Sequence, residues 1–166
     1  DGTVGGAECV GYTFAPSWKA EEIKDWFSAI ENMVQCDDYA GYSSPVEDDD
    51  GGIFIAVPDD RRLGCGMHVR SKFHAALLAK DKRAAIPLKH FADLYKIEAE
   101  CKQRGLDAAA RTEVRRERSL PIFDALYAWI MAIAVSLLPK SPLSIATTYA
   151  LGQKVFLRRC LEDGRF

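Results

Sequence analysis

The apolar positions of this chain change their spacing before its midpoint, and the change divides it into two parts of different character. Ahead of Cys65 they come in short runs bounded by glycine, proline and acidic residues; after it they recur every three or four positions. In the first part, Val10-Gly11-Tyr12-Thr13-Phe14 is rich in strand formers and lies between Gly6 and Pro16. A helix is predicted next, with Ser17 as its cap, Glu21 and Glu22 in the first turn where the helix dipole favours anions, and a stripe of Ile23, Trp26, Phe27 and Ile30. Asn32–Cys36 is a second extended run that ends at Asp37, and Ile53–Val57, after the acidic loop Glu47-Asp48-Asp49-Asp50, is a third. Strand, helix, strand, loop, strand predicts parallel pairing through right-handed crossovers.

From Cys65 onward the spacing is helical. Val69, Phe73, Ala76 and Leu77 share one face, and Ile86, His90, Leu94 and Ile97 share another that runs out at Gly105. Asp107 is placed to cap a third helix, in which Pro121 either makes a kink or opens a fourth. Ile145, Tyr149, Val155, Phe156 and Leu161 mark the last, after Pro139 and Pro142. The fold class expected is therefore α/β plus helical: a small parallel sheet of two or three strands within residues 1–64 and a larger all-helical domain over 65–166.

Composition narrows the function classes. With 166 residues, 48% of them hydrophobic, the chain can bury a real core, and a net charge of −2 excludes nucleic-acid binding by bulk charge. Any phosphate contact must come from a local basic face. Five scattered cysteines without a Cys-x-x-Cys pair suit a reducing compartment. Ile122–Leu138 carries only Asp124 as a charge, yet its apolar part falls short of the about 20 residues a membrane span needs, so it reads as a buried bundle helix and no membrane partner is expected. The N-terminus resembles neither a signal nor a transit peptide and reads as a cut through a larger protein.

Three constellations carry candidate chemistry. Asp37 stands at a strand end, where a carboxylate is either a turn former or a metal ligand. Cys65 and His68 have the spacing of half a zinc site; the competing reading is a buried thiol and a backbone-bonded imidazole that fasten the first helix of the second part to the strand at Ile53–Val57. Arg111, Arg115 and Arg118 fall on one helical face, either to follow a DNA backbone or to pair with Glu113 and Glu117. Lys72, Arg158 and Arg159 carry the same two readings.

Several stretches also carry a family resemblance. Gln35-Cys36-Asp37-Asp38-Tyr39-Ala40-Gly41-Tyr42, Cys65-Gly66-Met67-His68-Val69-Arg70-Ser71-Lys72-Phe73, Arg116-Glu117-Arg118-Ser119-Leu120-Pro121, Pro139-Lys140-Ser141-Pro142-Leu143 and Leu161-Glu162-Asp163-Gly164-Arg165, in this order, resemble the insertion sequence 66 family of bacterial transposases. The resemblance implies a ribonuclease-H-like core with an Asp-Asp-Glu triad and a mostly helical insertion between the second Asp and the Glu. Asp37 matches the second Asp. In such a site three carboxylates hold two Mg²⁺ ions, which activate the attacking oxygen and stabilise the leaving one. DNA is the implied partner, cleavage and strand transfer the implied reaction, and the bacterial cytoplasm at the nucleoid the implied location. Assembly as a homo-oligomer is a further expectation.

The first Asp is expected upstream of residue 1 and the Glu beyond Phe166. The chain is thus expected to be a fragment, inactive alone; the alternative is a non-catalytic helical DNA-binding or protein-interaction module left from a decayed transposase. Family topology would then leave Val10–Phe14 either paired with Asn32–Cys36 or loosely held. The sequence departs from the family pattern at Asp38, where glycine is usual, at Gly66, where an aromatic residue is usual, and at Ser71, where a basic residue is usual.

Overall fold

A computed structural model of the chain describes residues 14–17, 19–28, 30–47 and 50–166. The strand expected at Val10–Phe14 lies, apart from Phe14, outside them. Packing divides the chain into two compact units, one of Asp1–Glu31 with Ala40–Pro58, the other of Asn32–Tyr39 with Asp59–Phe166.

In the first unit, helix α1 (Glu21–Ser28) forms where the Ile23 and Phe27 stripe predicts it. The Ser17 hydroxyl accepts from the Lys19 N–H and donates to Glu22, both at 3.3 Å, which fixes the approach to the helix. Phe27 packs edge-on against Tyr42, ring centroids 5.6 Å apart. After a single 3-10 turn at Ala40–Tyr42 the chain forms two short strands, β2 (Val46–Glu47) and β3 (Ile53–Phe54), paired antiparallel. This corrects the expectation for Ile53–Val57. A short apolar run reads alike in a parallel strand and in a hairpin arm, so its pattern does not choose its partner.

In the second unit, strand β1 (Val34–Cys36) pairs in parallel with β4 (Arg62–Gly64), in the register Val34↔Arg62, Gln35↔Leu63, Cys36↔Gly64. The parallel pairing that the order of elements predicts is present, with a different second strand. Arg-Leu-Gly has little strand propensity, and only burial reveals it: all three residues are buried. The pair belongs to the helical unit, so packing does not divide the chain at residue 64.

The helices of this unit are α2 (Gly66–Leu78), α3 (Ala85–Gln103), α4 (Ala108–Val114), α5 (Leu120–Ala134) and α6 (Pro142–Glu162). A π turn over Arg115–Ser119 joins α4 to α5 without a break, the Leu120 N–H bonding back to the Arg115 carbonyl. That extra residue resolves the two readings of Pro121. A proline ring collides with the carbonyl four residues back in an α-helix, and the wider turn before Pro121 lets the helix continue. Asp107 and Ser141 cap α4 and α6, accepting from the N–H groups of Ala110 and Ser144.

The core lies between α2, α3, α5 and α6 and holds Val69, Phe73, Phe91, Phe123, Leu126, Tyr127, Ile130, Leu143, Ala146 and Ala150. Burial of α5's Phe123, Leu126, Tyr127 and Ile130 explains its apolar sequence, and among the described residues no helix is long and apolar enough to cross a membrane. The Tyr127 hydroxyl donates to the Ala150 carbonyl at 2.8 Å, and burial pushes its pKa upward, so it stays a neutral donor.

Two close fits hold the ends of the unit. A Cβ on Gly64 would lie 3.0 Å from the Leu157 Cγ and 3.1 Å from the Leu157 backbone nitrogen, so only glycine lets β4 lie this close to α6. At the other end Arg115 is 5% exposed, and all five of its N–H groups have acceptors. Nε and Nη2 meet the Glu98 carboxylate at 2.7 and 2.8 Å, while the carbonyls of Cys160, Asp163 and Phe166 take the rest.

Gly64→Val is expected to lower stability by roughly 2 kcal/mol through overpacking against α6, measured by urea unfolding. Arg115→Met is expected to cost about 3 kcal/mol in the same assay, because it strands the Glu98 carboxylate and three carbonyls.

Candidate active site

Asp37 follows β1 directly, at the C-terminal end of the parallel pair, and α2 starts just after the same end of β4. Open parallel sheets bind and react at this end, because the loops leaving neighbouring strands converge there. The arrangement brings Asp37 to His68, on the first turn of α2. The Asp37 Oδ2 is 3.6 Å from the His68 Nε2, and its Oδ1 accepts the Tyr39 N–H at 3.1 Å, a turn closed by the side chain. Both side chains face solvent, at 36% and 53% exposure, so a substrate can reach them.

Asp38, the adjacent acid, is engaged internally. Its Oδ1 accepts from Arg62 Nη2 and from Gln153 Nε2, each at 2.9 Å. The same Arg62 nitrogen donates to the Asp37 carbonyl at 2.7 Å, and the guanidinium lies 4.4 Å from the centroid of the Phe156 ring. One buried cation thus ties β4, the turn after β1 and helix α6 together. Asp38 takes no left-handed conformation: among described non-glycine residues only Lys80 and Lys140 have positive φ. A side chain where the family has glycine therefore costs no backbone strain here.

Two thiols of this unit, Cys36 and Cys160, are not poised for reaction. Burial pushes Cys36 upward, with Arg62 opposing, and burial likewise raises Cys160. Both stay protonated, which disfavours nucleophilic attack and metal ligation. Tyr149 is also raised, by burial first and then by the charges of Asp38 and Asp37. Beside Asp38 opens a cleft of about 410 Å³, whose walls include Lys72, Lys140, Ser144, Thr148 and Tyr149. A smaller hollow of about 190 Å³ lies among Phe91, Tyr95, Phe123, Leu157 and Phe166, and its charged members Glu98 and Arg115 neutralise each other.

The donors present do not make a complete metal centre. Asp37 and His68 stand close enough to share one cation, but among the described residues no group of three or more His, Cys, Asp or Glu could hold a metal ion. Among the described residues the half zinc site of Cys65 and His68 gains no third member. The competing reading is corrected as well: Cys65 is half-buried ahead of α2, His68 is exposed and turned to Asp37, and the adjoining strand is β4. His90 bonds the Ile86 carbonyl through Nδ1 at 2.9 Å.

Most of the cations proposed for DNA are committed inside the protein. Arg115 is buried in its clamp; Arg118 pairs with Glu100 at 2.7 Å; Arg158 pairs with Asp124 at 2.6 Å and Glu162 at 3.0 Å. Arg159 donates to the carbonyls of Asp59 and Arg62 at 2.6 and 2.5 Å, and Arg111 reaches the Gly164 carbonyl at 3.4 Å. Among the described contacts, Arg111, Arg115 and Arg118 do not pair with Glu113 or Glu117; Arg116 is the residue that pairs with Glu113. Lys72 differs. Its Nζ lies 4.4 Å from the centroid of the Tyr149 ring, on the cleft wall. Sequence reasoning missed Arg62, Gln153, Lys140 and Tyr149 as members of this region. Lys140 lay within a stretch that carries the family resemblance, whereas Gln153 stands 115 residues from Asp38 and gave no local signal.

A family model described as "Transposase IS66 family" matches residues 2–166. The uncharacterized protein y4qI of Sinorhizobium fredii (strain NBRC 101917 / NGR234) is similar, 28% identical over 158 residues that make up 94% of this chain and 28% of that protein. The chain therefore spans well under half the length of that relative. No solved structure matches it. With the match running from residue 2 to residue 166, the chain belongs to the IS66 family of transposases.

Proposed function

We propose that this chain is part of the catalytic region of a DNA transposase, in which Asp37 is one of the acids around the scissile phosphodiester. The observation that carries the reading is the place of Asp37: a solvent-accessible carboxylate at the C-terminal end of a parallel strand, facing His68 at 3.6 Å. A ribonuclease-H-like sheet needs an acid there, and the β1–β4 pair supplies the strand end that supports it. The different partners of the two neighbouring acids support this reading. Asp38 is paired with Arg62, whereas the Asp37 carboxylate meets only the Tyr39 N–H and the exposed His68 among the described contacts.

Transposases of this family imply a divalent metal in general, yet Asp37 and His68 are two donors where a pair of dications needs several carboxylates. The described residues therefore cannot assemble that chemistry by themselves, and the chain alone is read as inactive. What its own residues do is position: Arg62 fixes the Asp37 backbone through the carbonyl, and the Tyr39 N–H orients the carboxylate.

Incubated with supercoiled plasmid and Mg²⁺, the purified chain is expected to leave the plasmid uncut while retaining duplex DNA at low salt, with affinity that falls as salt rises. Nicking abolished by Asp37→Ala would overturn the inactivity and keep the site. Nicking that survives Asp37→Ala would remove Asp37 from the reaction, and no retention at any salt would remove DNA as the partner.

A further inference from the structure

We infer that the cleft beside Asp38 seats a backbone phosphate of the DNA strand, held by Lys72 and Lys140, and so fixes where that strand runs past Asp37. This rests on the reading of the chain as part of a DNA transposase, and names the surface that touches the substrate.

The inference starts from the two lysines on one cleft wall, set against the cations that pair with carboxylates. Arg62, Arg83, Lys89, Arg115, Arg116, Arg118, Arg158 and Arg165 each pair with a carboxylate. Lys72 and Lys140 make no ion pair among the described residues, and both line the same concave surface. An unneutralised cation keeps its full attraction for an anion, and two on one wall add. The carboxylate in that lining, Asp38, is already offset by Arg62 at 2.9 Å. The hydroxyl-bearing residues Ser144 and Thr148 lie along the same wall, suited to donate to phosphate oxygens.

A second groove on the same unit serves as an internal comparison. It holds Lys96 and Arg118, but Asp93 and Glu100 line it too, and Glu100 pairs with Arg118 at 2.7 Å. With two carboxylates beside two cations, that lining carries no net positive charge to offer an external anion. Adjacency completes the case: Asp38 is at once a wall of the cleft and the chain neighbour of Asp37, so a strand lying in the cleft passes the carboxylate. The cleft is also open enough for a polymer to lie across it, where a closed cavity would take only a small anion.

The test is fluorescence anisotropy with a short labelled DNA duplex over a salt series, using the whole chain and circular dichroism to confirm folding. The Lys72→Ala/Lys140→Ala variant is expected to bind roughly tenfold or more weakly, with a salt slope shallower by about 0.9, the value for the one phosphate the two lysines hold. Thr148→Glu, at an exposed helical position, is expected to weaken binding likewise. The charge-matched Lys96→Ala/Arg118→Ala variant is expected to bind as the parent does. If the parent binds DNA and the cleft variants match it in affinity and slope, the cleft assignment falls while the transposase reading stands. If inorganic phosphate perturbs the amide signals of Ser144 and Thr148 but the cleft variants bind DNA unchanged, the site is one for a small anion and the inference falls. If the parent binds no DNA at low salt, both fall.

Discussion

The guanidinium of Arg62 is the point on which the arrangement around Asp37 depends. It is 4% exposed, lies over the Phe156 ring and reaches the Asp37 carbonyl and the Asp38 carboxylate through one nitrogen. A buried cation needs a nearby anion, or its desolvation goes uncompensated. Asp38 supplies that anion, and Gln153 of α6 binds the same oxygen, so strand end and helix are held in one relative position. Beside this point Gly64 lets β4 meet α6 without a side chain between them. The place of Asp37 therefore follows from packing between segments about a hundred residues apart.

Such long-range constraints explain what was legible in the sequence. The helices were, since Val69, Phe73 and Ala76, or Leu94 and Ile97, repeat at a spacing that packing then uses. So was the strand ending at Asp37. Strand β4 was not, because Arg62 and Gly64 read as loop residues and owe their strand conformation to burial between β1 and α6. Ile53–Val57 had the better local pattern and became a hairpin arm, because a local pattern carries no information about the partner strand. Of the site, Asp37 was legible from its strand end and the family resemblance. Its neighbour His68 was legible only as a residue type at a suggestive spacing, and its orientation toward Asp37 came from the fold.

The cations teach the same lesson with the opposite sign. A run of arginines on a helix suggests an outward basic face, and here Arg111 and Arg115 of that run turn to the end of the chain. Arg115 satisfies all five donors internally because the π turn sets it toward Glu98 and the residues after α6. Gly164 makes room for that closure: a Cβ there would lie 2.1 Å from the Ala108 carbonyl oxygen, and its N–H instead bonds the Thr112 hydroxyl. The planar fork of arginine suits such multiple internal bonds better than a lysine ammonium does.

The departure from the family pattern at Asp38 then takes on a different meaning. On sequence grounds a second acid beside Asp37 adds repulsion where glycine would leave the backbone free. In the structure the two carboxylates are treated separately: Asp38 turns to Arg62 and Gln153, and Asp37 turns to Tyr39 and His68. Because Arg62 also donates to the Asp37 carbonyl, which glycine at position 38 would leave in place, the Asp38 carboxylate adds a charge partner to an attachment already made by the main chain. The substitution therefore stiffens the turn that carries Asp37 rather than competing with it for the same cation.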